Sequence, residues 1–202
     1  MENIKTPLGR FAFTADLFKP REQESGKLQY GCTILFPKTT DIGVLKKVAA
    51  EAAKEKWGDK AVELLKSGAI RSPFLDGDSK DGLNKKSGER LAGFEGCTFI
   101  RPKSGEKYPP VVVGPRKERI DDANAFYSGV WGYAIVNAYA WEHPKNGKGI
   151  SFSISAVQKA RDDERLGGGG GIDVDAAFDT IEDTGDMASV GASGDGAADL
   201  FS

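Results

Sequence analysis

From Ile150 to Ala156 apolar residues and serines alternate without a break. Ile150, Phe152, Ile154 and Ala156 take one parity, and Ser151, Ser153 and Ser155 take the other. A period of two is the mark of a half-buried strand, and a chain that repeats it is confined to sheet architectures. Here it repeats. Phe11, Phe13, Ala15 and Leu17 are expected to share one strand face. Leu28, Tyr30, Cys32, Ile34 and Phe36 form another, with Lys27, Gln29 and Thr33 opposite. Less regular strands are expected over 94–101, 109–114 and 129–141. One helix interrupts the pattern between residues 41 and 57. Thr40 or Asp41 caps it, Ile42, Leu45, Val48, Ala49, Ala52 and Ala53 recur at helical spacing, and Gly58 stops it. A shorter helix is expected from Asp59 to Lys66, and the Gly-, Asp- and Lys-rich stretch 76–90 reads as an exposed loop.

The near-neutral total charge of −2 conceals a segregation. After the run Gly167–Gly171 come Asp173, Asp175, Asp179, Glu182, Asp183, Asp186, Asp195 and Asp199, and no basic residue. All 28 Lys and Arg therefore lie in residues 1–166 beside 22 of the 30 acids, so a body of +6 is joined to a tail of −8. Residues 1–166 are expected to form one domain and 167–202 a Gly-linked acidic tail without fixed structure. A coil of that length spans roughly 30–36 Å. Its large apolar residues, Phe178, Ile181, Leu200 and Phe201, are candidate anchors for a partner. A basic body holds a polyanion, and a tethered acidic tail holds partners or competes for the same groove. Many strands, one inserted helix and a polyanion ligand together predict a mainly β fold, an OB-fold-like Greek-key barrel. Periodicity by itself does not separate it from other Greek-key folds.

Several chemistries lack the residues they need. The single histidine, His143, sits in a turn-like Glu142-His143-Pro144, and Cys32 and Cys97 lie far apart in strand-like contexts. Neither a zinc cluster nor a histidine-based triad can be built from them. Asp76-Gly77-Asp78-Ser79-Lys80-Asp81-Gly82 resembles a calcium loop only superficially. An EF-hand loop needs an acid or amide where Lys80 stands and a Glu where Ser87 stands. The five glycines precede no Gly-Lys-Ser/Thr and so form no phosphate cradle. No catalytic residue, metal site or cofactor is expected. No apolar run of 18 residues exists to span a membrane, and Met1-Glu2-Asn3-Ile4-Lys5 lacks the apolar run of a secretory signal. A cytosolic protein is expected.

The candidate binding residues fall in two stretches. Residues 101–119 carry Arg101, Lys103, Lys107, Arg116, Lys117 and Arg119 against Glu106 and Glu118, with Tyr108 among them. Such a segment attracts phosphates and releases counterions, so its affinity falls with salt. Residues 127–141 place Tyr127, Trp131, Tyr133, Tyr139 and Trp141 on one parity. On a regular strand they make a stripe on which unpaired bases stack at about 1–3 kcal/mol each. The same rings also suit a barrel core, and a bulge near Gly132 would flip their parity. Phe99 shares parity with Arg101 and Lys103, so an outward, base-facing position is expected for it.

In their order along the chain these segments resemble a family of bacteriophage single-stranded-DNA-binding proteins with an OB-fold. The matching stretches are Tyr30-Gly31-Cys32-Thr33-Ile34-Leu35-Phe36-Pro37-Lys38, Lys56-Trp57-Gly58, and Pro73-Phe74-Leu75-Asp76-Gly77-Asp78. They continue with Gly93-Phe94-Glu95-Gly96, Tyr127-Ser128-Gly129, and Gly149-Ile150-Ser151-Phe152 running into Val157-Gln158-Lys159-Ala160-Arg161-Asp162. The resemblance covers roughly residues 10–168. It implies binding of single strands in phage replication, recombination or repair, inside the cytoplasm of an infected bacterial host. It also implies an acidic tail that recruits replication or recombination proteins, here through Asp195, Asp199, Leu200 and Phe201. Relatives tend to end on an aromatic residue, whereas Ser202 follows Phe201 here. Two alternatives stay open at this point: an RNA- or polyanion-binding module, and a metal-dependent nuclease using Asp76, Asp78 and Asp81. Homo-oligomerisation stays open as well.

Overall fold

The computed structural model describes residues 3–23 and 25–167. The expectations for the acidic tail, including Asp195, Asp199, Leu200 and Phe201, lie outside them. Among the described residues twelve strands form one sheet: β1 (Ile4–Lys5), β2 (Gly9–Ala12), β3 (Arg21–Glu22), β4 (Leu28–Gly31), β5 (Thr33–Pro37), β6 (Ile70–Arg71), β7 (Leu75–Asp76), β8 (Cys97–Ile100), β9 (Lys103–Gly105), β10 (Val111–Val113), β11 (Trp131–His143) and β12 (Gly147–Arg161). Two helices, α1 (Gly43–Trp57) and α2 (Lys60–Lys66), stand between β5 and β6.

The sheet order is β3-β4-β9-β12-β11-β2-β5-β8-β7. Two breaks in the chain close this order into a barrel. β4 and β5 are one stretch kinked at Cys32, and β8 and β9 are another kinked at Pro102; the Cys32 N–H donates to the Pro102 carbonyl at 3.3 Å where the kinks meet. The half before Cys32 pairs with β9, and the half after it pairs with β2 and β8. β9 pairs in parallel with β12, β12 antiparallel with β11, and β11 with β2. Five composite strands thus run 1-2-3-5-4 and back to 1. This is the expected OB-fold-like, mainly β barrel.

Phe11, Ile34, Phe36, Ile100, Phe126, Val136, Phe152 and Ile154 fill the interior, together with Leu45, Val48, Ala49, Ala52 and Ala53 of α1. The helix begins close to its expected start because the Asp41 carboxylate accepts from the Gly43 N–H at 2.7 Å. A second cluster lies on the outside of β5 and β8. There Leu35, Phe94 and Phe99 pack with Ala12, and the Phe94 and Phe99 rings meet edge to face at 4.9 Å.

Three strand expectations change. The strand expected over 11–17 stops at Ala12: Phe13 takes a left-handed φ of 55° and Thr14–Leu17 turn into a 3-10 helix. Phe13 is therefore exposed while Leu17 is buried. Thr33, placed outside by parity, is buried, since residues from Thr33 to Phe36 are covered on both faces. Ala156 leaves the face of Ile150, Phe152 and Ile154. The β11–β12 register shifts between Ile135 and Val136, where Ser155 is the unpaired extra residue, and Val157 becomes the buried position.

Candidate nucleic-acid interface

Outward positions on strands 2 and 3 of the barrel form a shallow groove. Gln29 faces Gly105 and Gly31 faces Lys103 across the β4–β9 ladder. At two of these four positions there is no side chain. A Cβ at Gly31 would lie 3.0 Å from the Pro102 carbonyl oxygen and 3.2 Å from Lys103 Cγ, so glycine is what lets the Lys103 stem lie flat across the strand. Beyond Gly105 the chain turns, and Tyr108 stands up with 74% of its surface exposed. The hollow of about 520 Å³ at this end is lined by Lys27, Leu28, Gln29, Gly105, Lys107 and Tyr108, with Glu106 as its acid.

Positive charge gathers beside it. Lys103 Nζ donates to the neutral Gln23 amide oxygen at 2.6 Å, and Arg101 donates to the Asp81 carbonyl at 3.2 Å while lying over the Phe99 ring. Among the described residues neither cation forms an ion pair with a carboxylate. Burial, then the repulsion of Arg101, holds the Lys103 ammonium below its ordinary range. Asp16 tempers the cluster, standing 4.0 Å from Arg21; burial raises its carboxyl against the pull of Arg21 and Lys103. Among the described residues the cluster is short of negative charge.

Sequence reasoning named Arg101, Lys103, Lys107 and Tyr108 here but missed Arg21, Gln23, Lys27 and Leu28. These come from β3, from the turn after it and from β4. Only Lys27 had a signal, the strand-like alternation at 27–33 that left it on the polar side with Gln29.

Phe99 is corrected outright. It is fully buried, because Leu35 and Leu75 flank it in register and Phe94 packs on its ring, so the outer face of β8 has a roof. It does point outward, as Lys103 does; the roof, not a change of face, takes it out of reach.

The aromatic stripe takes the outer face. Along β11, Gly132, Ala134, Val136 and Ala138 are buried while Trp131, Tyr133, Tyr139 and Trp141 are half-buried on the other side. Register shifts do occur, yet the extra residues, Ser155 and Ala160, belong to β12, so β11 keeps its alternation. The outer row runs Lys103–Ser153–Asn137 across three strands, with Tyr139–Ser151 on one side and Tyr133–Gln158 and Trp131–Arg161 on the other. Lys5 Nζ lies 3.9 Å from the Tyr133 ring centroid, and the Trp141 indole donates to Ser151 at 2.9 Å.

Arg116, Lys117 and Arg119 sit apart from Lys103, in the turn that follows β10. The Gln158 amide donates to the Gly114 and Pro115 carbonyls, which brings that turn to the flank of Tyr133. Arg119 is engaged by Asp121 at 2.7 Å, whereas the Arg116 and Lys117 side chains are exposed.

The carboxylates of the nuclease alternative are engaged by the protein itself. Lys38 Nζ lies 3.0 Å from Asp76 and 2.7 Å from Asp78, where a metal ion would have to sit. That pairing raises the Lys38 ammonium and lowers both carboxyls, with the Asp78 backbone N–H the largest influence on Asp76. At Asp81 it is Ser79 that caps the turn, its hydroxyl accepting from the Asp81 N–H at 3.1 Å and lying 3.4 Å from the Asp81 carboxylate. Among the described residues no group of three or more His, Cys, Asp or Glu side chains is placed to hold a metal. Cys32 is buried and its thiol pushed well above the ordinary range by that burial; Cys97 is half-buried, and both are free.

A five-stranded Greek-key barrel with a cationic, aromatic groove on strands 2 and 3 defines an OB-type ligand-binding domain. Residues 2–188 match the family described as Enterobacter phage Enc34, ssDNA-binding protein, and the chain belongs to that family. The fold matches the single-stranded DNA-binding protein from bacteriophage Enc34 in complex with ssDNA, with a TM-score of 0.62 and 26% identity over 82% of this chain and 89% of that one. The fold is also that of gp2.5, a single-stranded DNA binding protein encoded by bacteriophage T7, with a TM-score of 0.53 and 14% identity over 93% of this chain and 99% of that one. Protein p50 of Acyrthosiphon pisum secondary endosymbiont phage 1 is 30% identical over 186 residues, covering 88% of this chain and 93% of its own length.

Proposed function

We propose that the protein binds and coats single-stranded DNA without catalysis, in phage replication, recombination or repair within the host cytoplasm. The observation that carries this reading is the groove over Gly31 and Gly105. Its cations, Lys103 and Arg101, lack carboxylate partners among the described residues, and Tyr108 stands exposed at its end. A backbone phosphate satisfies the cations, and an unpaired base stacks on the ring. Bases of a duplex are already stacked and cannot do so. Kinship with a protein whose structure holds ssDNA supports the same choice of ligand. Arg116 and Lys117 extend the phosphate track past Tyr133, and Trp131 and Tyr139 extend the stacking row. Asp195, Asp199, Leu200 and Phe201 of the acidic tail recruit replication or recombination proteins and compete with DNA for the basic face.

The test is a salt titration of binding to fluorescent oligo-dT, for the full chain and for residues 1–166, with a matched RNA oligomer as competitor. Tight, salt-sensitive binding that prefers DNA and strengthens without the tail is expected. Absence of binding by both forms at low salt would sink the reading, and preference for the RNA would transfer it to another ligand.

Among the described residues no helix is long and apolar enough to cross a membrane.

A further inference from the structure

After β12 the chain folds back across the start of β11. The Tyr127 hydroxyl donates to the Asp163 carbonyl at 2.9 Å, and the Leu166 N–H donates to the Ser128 carbonyl at 2.7 Å. Arg10 donates to the Gly129 carbonyl at 3.1 Å and to the Glu164 carbonyl at 2.7 Å. Gly129, at φ 125°, has no Cβ to collide with the Glu164 carbonyl, so this strap lies directly on the strand. Leu166 pins its end by packing against Gly93 and the second apolar cluster.

The strap delivers one carboxylate to one ring. Trp131 stands in register between Arg10 of β2 and Arg161 of β12, so all three share the outer face. The Trp131 indole N–H donates to Asp163 Oδ2 at 2.6 Å. The Arg161 guanidinium lies 4.7 Å from the Trp131 ring centroid and 3.8 Å from Asp163, and Arg10 is 3.9 Å from the same carboxylate. The neighbouring Asp162 is engaged elsewhere, by Lys159 at 2.6 Å. One carboxylate therefore faces two guanidiniums at ion-pair range but beyond hydrogen-bond length, which leaves a surplus of one positive charge. The Trp131 N–H, the Glu164 backbone N–H and both arginines hold the Asp163 carboxyl below the usual range, so it is ionised at neutral pH.

A ring for a base, an N–H donor and two flanking cations are the parts of a nucleotide subsite. We propose that Arg10, Trp131 and Arg161 form a second single-strand subsite whose phosphate position is held in the free protein by the Asp163 carboxylate, which a DNA phosphate displaces. The proposal rests on the single-strand reading given above. Neither arginine stands out in the sequence, because nine positions precede Arg10 in an unremarkable segment and three acids follow Arg161. Trp131 and Asn137 are six residues apart on one face, about 20 Å at ~3.4 Å per residue. One strand of DNA lying along β11 thus meets both this subsite and the Lys103 row.

The experiment compares full-length wild type with Asp163→Asn on an oligo-dT long enough to span both subsites, across a salt series. Removing the competing charge is expected to tighten binding about three- to tenfold and to steepen the dependence of log K on log salt by roughly 0.7–1.4, the neutralisation of one or two further phosphates. Arg161→Gln is expected to weaken binding and to cancel the gain when combined with Asp163→Asn. If Asp163→Asn melts like wild type but binds with unchanged or lower affinity, the subsite is wrong. Should Asp163→Asn fail to fold, Arg161→Gln alone decides: unchanged affinity overturns the proposal and a several-fold loss supports it. Wild type that ignores oligo-dT at low salt would instead sink the underlying single-strand reading.

Discussion

The same two kinked strands carry opposite surfaces on either side of their kinks. On the β5–β8 half, the outer face is roofed by residues 75–96: Phe99 is buried under Phe94, and Lys38 is pinned between Asp76 and Asp78. On the β4–β9 half, the outer face is open, Tyr108 projects, and among the described residues Lys103 has a neutral amide and no carboxylate for a partner. Aromatic and lysine occur on both halves. What separates them is whether the protein has already satisfied the ring and the charge. Rings and cations bind a ligand where the fold leaves them unsatisfied, so composition locates candidates and packing selects among them.

That contrast can be broken by substitution. The largest effect is expected from Phe99→Ala, which empties a fully buried site and is expected to cost about 3–5 kcal/mol of stability. Its melting temperature should fall, while the protein that remains folded binds oligo-dT like wild type. A loss of affinity in the folded fraction would return Phe99 to the interface. Next comes the pair Arg101→Ala with Lys103→Ala. Hydrogen bonds to charged groups are worth about 1.5–3 kcal/mol each, so affinity is expected to drop by at least about a hundredfold. The salt slope should become shallower by roughly 1.4, at about 0.7 for each single-strand phosphate that is no longer neutralised. An unchanged slope would mean that these cations do not meet phosphates.

Tyr108→Ala sharpens the open side further. A missing stack removes about 1–3 kcal/mol of binding with no change in salt slope, because no charge is removed. A changed slope would mark Tyr108 as a support for Lys107 rather than a base platform. The smallest effect on binding is expected from Lys38→Met: affinity within about twofold of wild type, since exposed ion pairs of this kind do not hold ligand. A large loss there would show that the roofed half also meets DNA.

The legible part of this protein was local. Alternation placed β5, β11 and β12, helical spacing placed α1, and the aromatic parity of β11 survived because the unpaired residues fall on β12. Within the site, Lys103 and Tyr108 were visible as a dense basic stretch with a ring in it. Arg21 and Gln23 were not, since β3 and the turn after it, about eighty residues earlier in the chain, supply them, and nothing in their own neighbourhood marks them. Phe99 misled because parity gives the face a residue takes and not what covers that face: it points outward, but Phe94 and Leu75 close over it.

The sequence by itself determined the strand and helix content and the separation of a basic body from an acidic tail, because periodicity and charge are properties of neighbours in the chain. Only the tertiary structure decided which outer face is open and which cations are spent. Those outcomes depend on which remote residue arrives as cover or counter-charge: Phe94 over Phe99, Asp76 and Asp78 on Lys38, Asp163 on Trp131. Such pairings are set by barrel closure and strand register, which no local pattern records.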